Sequence, residues 1–254
     1  MMATRRTFLG LLAGAPFVGI GARSDAREAV IPRLIRETRG YDRVSERIDH
    51  VSRALLGAPY QGRTLIGAPD RKEIFVLRDD TFDCVTYCEA VLAAAIAKDY
   101  PHYAQVLKRI RYANGVVGWS DRNHDFAQWS RANLENRICL PASISPSVTL
   151  DKRLDGGGLG KRSYEIPAIA TPRLIANQKA LQVGDIVGFV SRRSELDFFH
   201  TGFIAFNARG VLMLRHASRS HGRVLDEAME SFVVRTGVKY VTLLRPAEPS
   251  AALS

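Results

Sequence analysis

The chain has 254 residues, 46% of them hydrophobic, and a formal net charge of +10 from 36 Lys and Arg against 26 Asp and Glu. This length supports one substantial core, and the basic balance points to carboxylate- or phosphate-bearing partners or to a membrane surface. Nucleic acid is the weaker match, because there is no zinc-finger spacing and no aromatic-basic single-strand motif. The three cysteines, Cys84, Cys88 and Cys139, are too few and odd in number for a disulfide scaffold.

Residues 1–26 have a basic start, an apolar stretch over 8–21 and a small-residue tail, which is the layout of an export signal. Arg5 and Arg6 sit where a twin-arginine signal carries its pair. The apolar run is shorter than the roughly 20 residues a stable bilayer anchor needs. The expectation is therefore an exported, periplasmic protein without a stable membrane anchor, with a mature domain over 27–254. Removing Arg5, Arg6, Arg23 and Asp25 leaves a mature charge of +8.

Residues 29–56 read as helical with interruptions at Pro32 and Gly40, and Gly57-Ala58-Pro59-Tyr60 ends the pattern. A short strand is expected at 74–77. Asp80-Thr81-Phe82-Asp83 then offers cap-forming side chains ahead of a helix over about 84–98, whose apolar residues form a buried stripe. A second helix or an edge element is expected at 103–112 and a third helix at 125–134. Residues 138–182 show no clear period and read as a long surface loop or lid. The Gly156–Gly160 run within it fails as a phosphate loop, because Asp155 stands where the first glycine should be and Arg162 where Ser or Thr should follow the lysine. Short apolar runs at 185–190, 201–206, 211–214 and 240–244 read as antiparallel strands. Helices first and strands later predict an α+β fold.

Two residue types in this layout can do chemistry together. Cys84 stands at a predicted helix start, where unpaired N–H groups favour a thiolate. Cys88, one turn further in, has no such support and reads as a small buried residue. A thiol needs a base, and His200 stands at the head of the strand Thr201-Gly202-Phe203-Ile204-Ala205-Phe206. His216 lies on the next strand. A three-residue loop at Ala208-Arg209-Gly210 with a left-handed Gly210 sets both histidines on one face, so that His216 can orient His200. A two-residue loop sets them on opposite faces.

Thr81 to Glu89, Ile110-Arg111-Tyr112, Arg122 to Phe126 with Trp129, Gly184-Asp185-Ile186, Leu196 to Gly202 and Arg215-His216-Ala217-Ser218 occur in an order that resembles the N-acetylmuramoyl-L-alanine amidase-like family within the NlpC-type papain-fold hydrolases. The resemblance spans about residues 57–218. It implies a papain-like core in which the Cys84 helix packs on an antiparallel sheet carrying His200 and His216. It also implies hydrolysis of the amide between N-acetylmuramic acid and L-alanine, on anhydro-type muropeptides; a monomer without cofactor or metal is expected. Tyr60 matches the tyrosine placed beside the nucleophile, where it helps hold the oxyanion.

Asp83, Glu89, Arg111, Arg122, His124 and Ser218 match the pattern as substrate-binding residues. For the two arginines the options are forked bonds to stem-peptide carboxylates or internal salt bridges with Asp83, Asp121 or Glu89. Three other readings stay open: a γ-D-glutamyl stem-peptide endopeptidase of the same fold, a zinc hydrolase, which lacks His-Glu-x-x-His spacing, and a non-enzymatic envelope-binding protein.

Overall fold

The computed structural model describes residues 29–249 except Gly157, so the expected signal over 1–26 lies outside the described residues. In chain order the elements are α1 (Val30–Glu37), α2 (Val44–Ala54), β1 (Ile66–Ala68), β2 (Arg71–Ile74), α3 (Cys84–Ile96), α4 (Tyr100–Arg111), α5 (Phe126–Glu135), β3 (Cys139–Pro141), β4 (Val148–Leu154), β5 (Arg162–Ala170), α6 (Thr171–Ala176), β6 (Ile186–Val190), β7 (Phe198–Phe206), β8 (Leu212–Ser218), β9 (Arg223–Ala228), α7 (Met229–Thr236) and β10 (Tyr240–Pro246). No helix among the described residues is long and apolar enough to cross a membrane.

Helices come first and an antiparallel sheet follows, as the α+β expectation had it. The strands of the large sheet run β4-β5-β10-β6-β7-β8-β9, with β3 also pairing β10. Each central strand alternates its side chains between two cores. Ile186, Phe203, Ala217, Val224 and Leu244 belong to the core shared with α3. Val187, Phe189, Ile204, Leu214 and Val241 belong to a second core with Met229 and Phe232 of α7.

α3 is buried all round over Thr86–Ile96 instead of along one stripe. Its alanines, Ala90 and Ala93 to Ala95, leave room for α2, α4 and the sheet to surround it. Full burial leaves Glu89 in mid-helix without water, and the fold answers with Arg111.

Two further expectations are corrected. Residues 138–182 are not a structureless loop or lid: they hold β3, the β4–β5 hairpin and α6. In β5 the buried positions Tyr164, Ile166 and Ala168 do alternate. In β4, however, Lys152 occupies a buried position, with Nζ donating to the carbonyls of Ser191 and Arg193, so an apolar period is not visible there. The strand expected at 74–77 lies earlier, as the β1–β2 hairpin.

Candidate active site

The start of α3 is set by a reciprocal cap. Asp83 Oδ1 accepts from the backbone N–H of Thr86 at 2.8 Å, and Thr86 Oγ1 accepts from the N–H of Asp83 at 2.9 Å. The Asp83 carboxylate therefore closes the helix and puts Cys84 in its first turn. Ahead of it, Gln61 N donates to Phe82 O and Phe82 N to Pro59 O. The segment carrying Tyr60 is bound on its other side to β9, through Gly57 N to Val224 O, Val224 N to Ala58 O and Tyr60 N to Gly222 O. Tyr60 is thus wedged between the sheet edge and the residues that lead into Cys84.

The histidines are placed by the β7–β8 hairpin. Gly210 has φ +74°, Asn207 N donates to Val211 O at 3.1 Å, and the ladder runs from Phe206↔Leu212 to Phe203↔Arg215. This is the three-residue-loop register expected from Gly210. Beyond Phe203↔Arg215 the two strands part, while β7 stays paired with β6 as far as Phe198 and β8 with β9 as far as Ser218. At the fork Gly202 has no room for a Cβ, which would sit 2.8 Å from Arg215 O and 2.9 Å from His216 Cβ.

Across the fork His200 Nε2 meets His216 Nδ1 at 2.5 Å, with the rings nearly perpendicular. Both rings are on the α7 side: Phe232 stacks on His200 at 5.4 Å and meets His216 edge-on at 5.7 Å. Thr201, the next residue, turns its side chain to the α3 side, 3.9 Å from the Cys88 sulfur. The Thr201 N–H is among the groups that favour the Cys84 thiolate. The thiol thus borders the residue that follows the base, although no hydrogen bond joins Cys84 to either histidine in this structure.

Electrostatics set the resting protonation. Burial and then the Asp83 charge push the Cys84 thiol up to about 12, against the N–H groups of Thr201, Val85 and Cys84. The expectation of a stabilised thiolate is not met, because desolvation outweighs the helix start. Burial lowers His200 to about 3, helped by the His216 and Arg235 charges. It lowers His216 to about 4, with Glu227 opposing and His221 and Arg235 assisting. Burial, with the charges of Cys84 and Asp83, raises Tyr60, so its hydroxyl remains a donor. The resting site is a neutral thiol, two neutral imidazoles and a protonated phenol.

The other expected site residues sit in a different arrangement. Arg111 donates to Glu89 at 2.7 Å and to Val76 O at 2.8 Å, and both side chains of that ion pair are buried. Arg122 donates to Glu73 at 2.9 Å, and Tyr112 donates to the same carboxylate. Glu73 was not among the expected partners. His124 Nε2 pairs with Trp119 O at 2.7 Å and its ring lies edge-on to Trp119. Ser218 is buried, with His221 Nδ1 at 3.0 Å and Ser220 Oγ at 3.2 Å. None of Glu89, Arg111, Arg122 or His124 shares a hydrogen bond or ion pair with Cys84, His200 or His216.

Sequence reasoning missed the side chains behind the histidines. Glu227 Oε2 lies 3.4 Å from His216 Nε2, and Arg235 binds both oxygens of Glu227 at 2.8 and 2.9 Å. The signal for α7 was faint: eight residues followed by Gly237, a left-handed helix stop.

The model of the N-acetylmuramoyl-L-alanine amidase-like family matches residues 50–237. No curated protein is significantly similar in sequence. Among solved structures, an N-acetylmuramoyl-L-alanine amidase from Bacteroides uniformis superposes with a TM-score of 0.71 at 20% identity, covering 81% of this chain and 99% of that one. A protein from Legionella pneumophila superposes with a TM-score of 0.75 at 19% identity, covering 86% and 94%. At such identities the superpositions speak for the fold alone.

Proposed function

Since the chain belongs to the N-acetylmuramoyl-L-alanine amidase-like family, we propose that it is a cysteine amidohydrolase that cleaves the amide between N-acetylmuramic acid and the L-alanine of a peptidoglycan stem peptide. The observation that carries this reading is the His200–His216 pair at 2.5 Å, with Thr201, the residue after His200, 3.9 Å from the sulfur of Cys88, one turn along α3 from Cys84. On this reading the core is papain-like and NlpC-type, with the nucleophile on the helix and the base and its orienter on the strands.

The chemistry follows from the resting protonation. With the thiol high and the imidazoles low, no preformed ion pair is available, so the proton leaves Cys84 for His200 as the sulfur attacks the lactyl carbonyl carbon. The Cys84 and His200 side chains close across the fork at that step, as catalytic contacts do when substrate arrives. The C–S bond forms and the carbonyl oxygen becomes an oxyanion, received by the Tyr60 hydroxyl and a backbone N–H at the helix start. His200 returns the proton to the alanine nitrogen as the C–N bond breaks. Water then attacks the thioester, and the carboxylate and the free thiol are released.

Asp83 acts in this scheme as the helix cap, and Glu89, Arg111 and Arg122 hold the fold. Ser218 and His124 are engaged with His221 and Trp119 respectively. Anhydro-type muropeptides are the substrates, met in the periplasm by an exported monomer whose basic surface suits their carboxylates. Digestion of a defined muropeptide panel, read by mass, tests this. Release of a peptide beginning with L-alanine, lost in Cys84→Ala, is expected. Cleavage after the γ-D-glutamyl residue, or full activity of Cys84→Ala, overturns it.

A further inference from the structure

β9 and α7 lie outside the catalytic motifs, yet they furnish the ion pair that stands behind His216. His216 Nε2 is buried, has no hydrogen-bond partner, and faces Glu227 Oε2 at 3.4 Å. Arg235 of α7 donates to both oxygens of that carboxylate. Its guanidinium also lies 5.2 Å from the Phe232 ring, the ring that stacks on His200. One pair of side chains is therefore tied to both imidazoles. The charged or titratable groups facing the pair are Glu227 of β9, Arg235 of α7 and His221 of the turn between β8 and β9.

Two neutral imidazoles joined Nε2 to Nδ1 share one proton, and two arrangements satisfy the bond. In one, His200 carries the proton on Nε2 and donates to His216 Nδ1; His200 Nδ1 is then bare and can take a proton from a thiol, while His216 carries its own proton on Nε2. In the other, His216 donates from Nδ1 and its Nε2 is bare. His200 then carries its proton on Nδ1 and cannot act as a base there. A carboxylate can only accept, so an oxygen beside His216 Nε2 stabilises the first arrangement and opposes the second.

We propose that Glu227, held by Arg235, is a positioning residue that sets the tautomers of His216 and His200 and so keeps the His200 Nδ1 free to act as the base. The proposal deepens the cysteine amidase reading and rests on it for its kinetic consequence. Gln in place of Glu227 keeps the shape but offers a donor as readily as an acceptor, so the bias toward one tautomer disappears. Groups that orient a functional imidazole through its other nitrogen are worth about 10- to 100-fold in activity where they stand behind metal-bound histidines, and the same size of effect is expected here.

The experiment uses the full chain labelled with ¹⁵N-histidine. Ring-nitrogen spectra at neutral pH assign the tautomers of His200 and His216 in wild type and Glu227→Gln, and steady-state kinetics on a muropeptide follow in parallel. Wild type is expected to show both rings protonated on Nε2. Glu227→Gln is expected to show mixed or reversed tautomers, with kcat down about 10- to 100-fold and KM little changed; Arg235→Lys, which can still hold the carboxylate, is expected to retain more activity than Arg235→Ala. Wild-type tautomers in Glu227→Gln, or an unchanged kcat, overturn the proposal. Full hydrolysis by Cys84→Ala overturns the cysteine reading instead, and the spectra still decide the tautomer assignment.

Discussion

His200 Nε2 and His216 Nδ1 lie 2.5 Å apart although the β7–β8 ladder has already ended at Phe203↔Arg215. The side-chain bond spans a gap where the backbone bonds have stopped.

This pair predicts a ranking. His200→Ala removes the base and is expected to lower kcat by about 10²- to 10⁴-fold. His216→Asn retains a group able to hydrogen-bond His200 and is expected to lose less than His216→Ala. Initial rates on one muropeptide check the order, and equal rates for the two His216 variants leave a Cys84–His200 dyad.

The low imidazole values fix the sign of two pH effects. Since His200 stays neutral down to about 3, the acid limb of kcat is expected well below pH 6.5, the ordinary histidine value. Stability behaves differently. Between pH 6.5 and about 3 to 4 the unfolded chain binds protons at His200 and His216 that the folded chain refuses, so stability is expected to fall as pH falls through that window. Denaturation midpoints from pH 7 to 4 measure this, and the slope should flatten in a His200→Asn/His216→Asn variant.

Asp83 has two separable effects. Asp83→Ala removes the cap and is expected to cost about 1 kcal/mol. Asp83→Asn keeps an acceptor for the Thr86 N–H but removes the charge that helps raise Cys84, so iodoacetamide should modify Cys84 faster than in wild type at pH 8. A rate below wild type counts against the Asp83 charge as a cause.

The Glu89–Arg111 pair is buried on both sides. Arg111→Met leaves Glu89 without its cation and is expected to cost about 3–5 kcal/mol, as removal of one buried partner does. The double change Glu89→Leu/Arg111→Met should recover most of that loss. If Arg111 instead reads substrate, the double variant will be stable with a raised KM, which measurement of both quantities distinguishes.

Much of this protein was legible in local sequence. Asp83 ahead of an apolar run announced the start of α3, and Gly210 specified the hairpin register, because caps and tight turns are decided by residues adjacent in the chain. The ordered motifs from 57 to 218 pointed to the family. What tertiary structure alone decided were the partners. Whether Arg111 meets a substrate or Glu89, and Arg122 a substrate or Glu73, depends on side chains 22 and 49 residues away, and no local pattern encodes such a distance. The raised Cys84 thiol likewise follows from burial, since desolvation is a property of the assembled core and outweighs the helix start that the sequence does reveal.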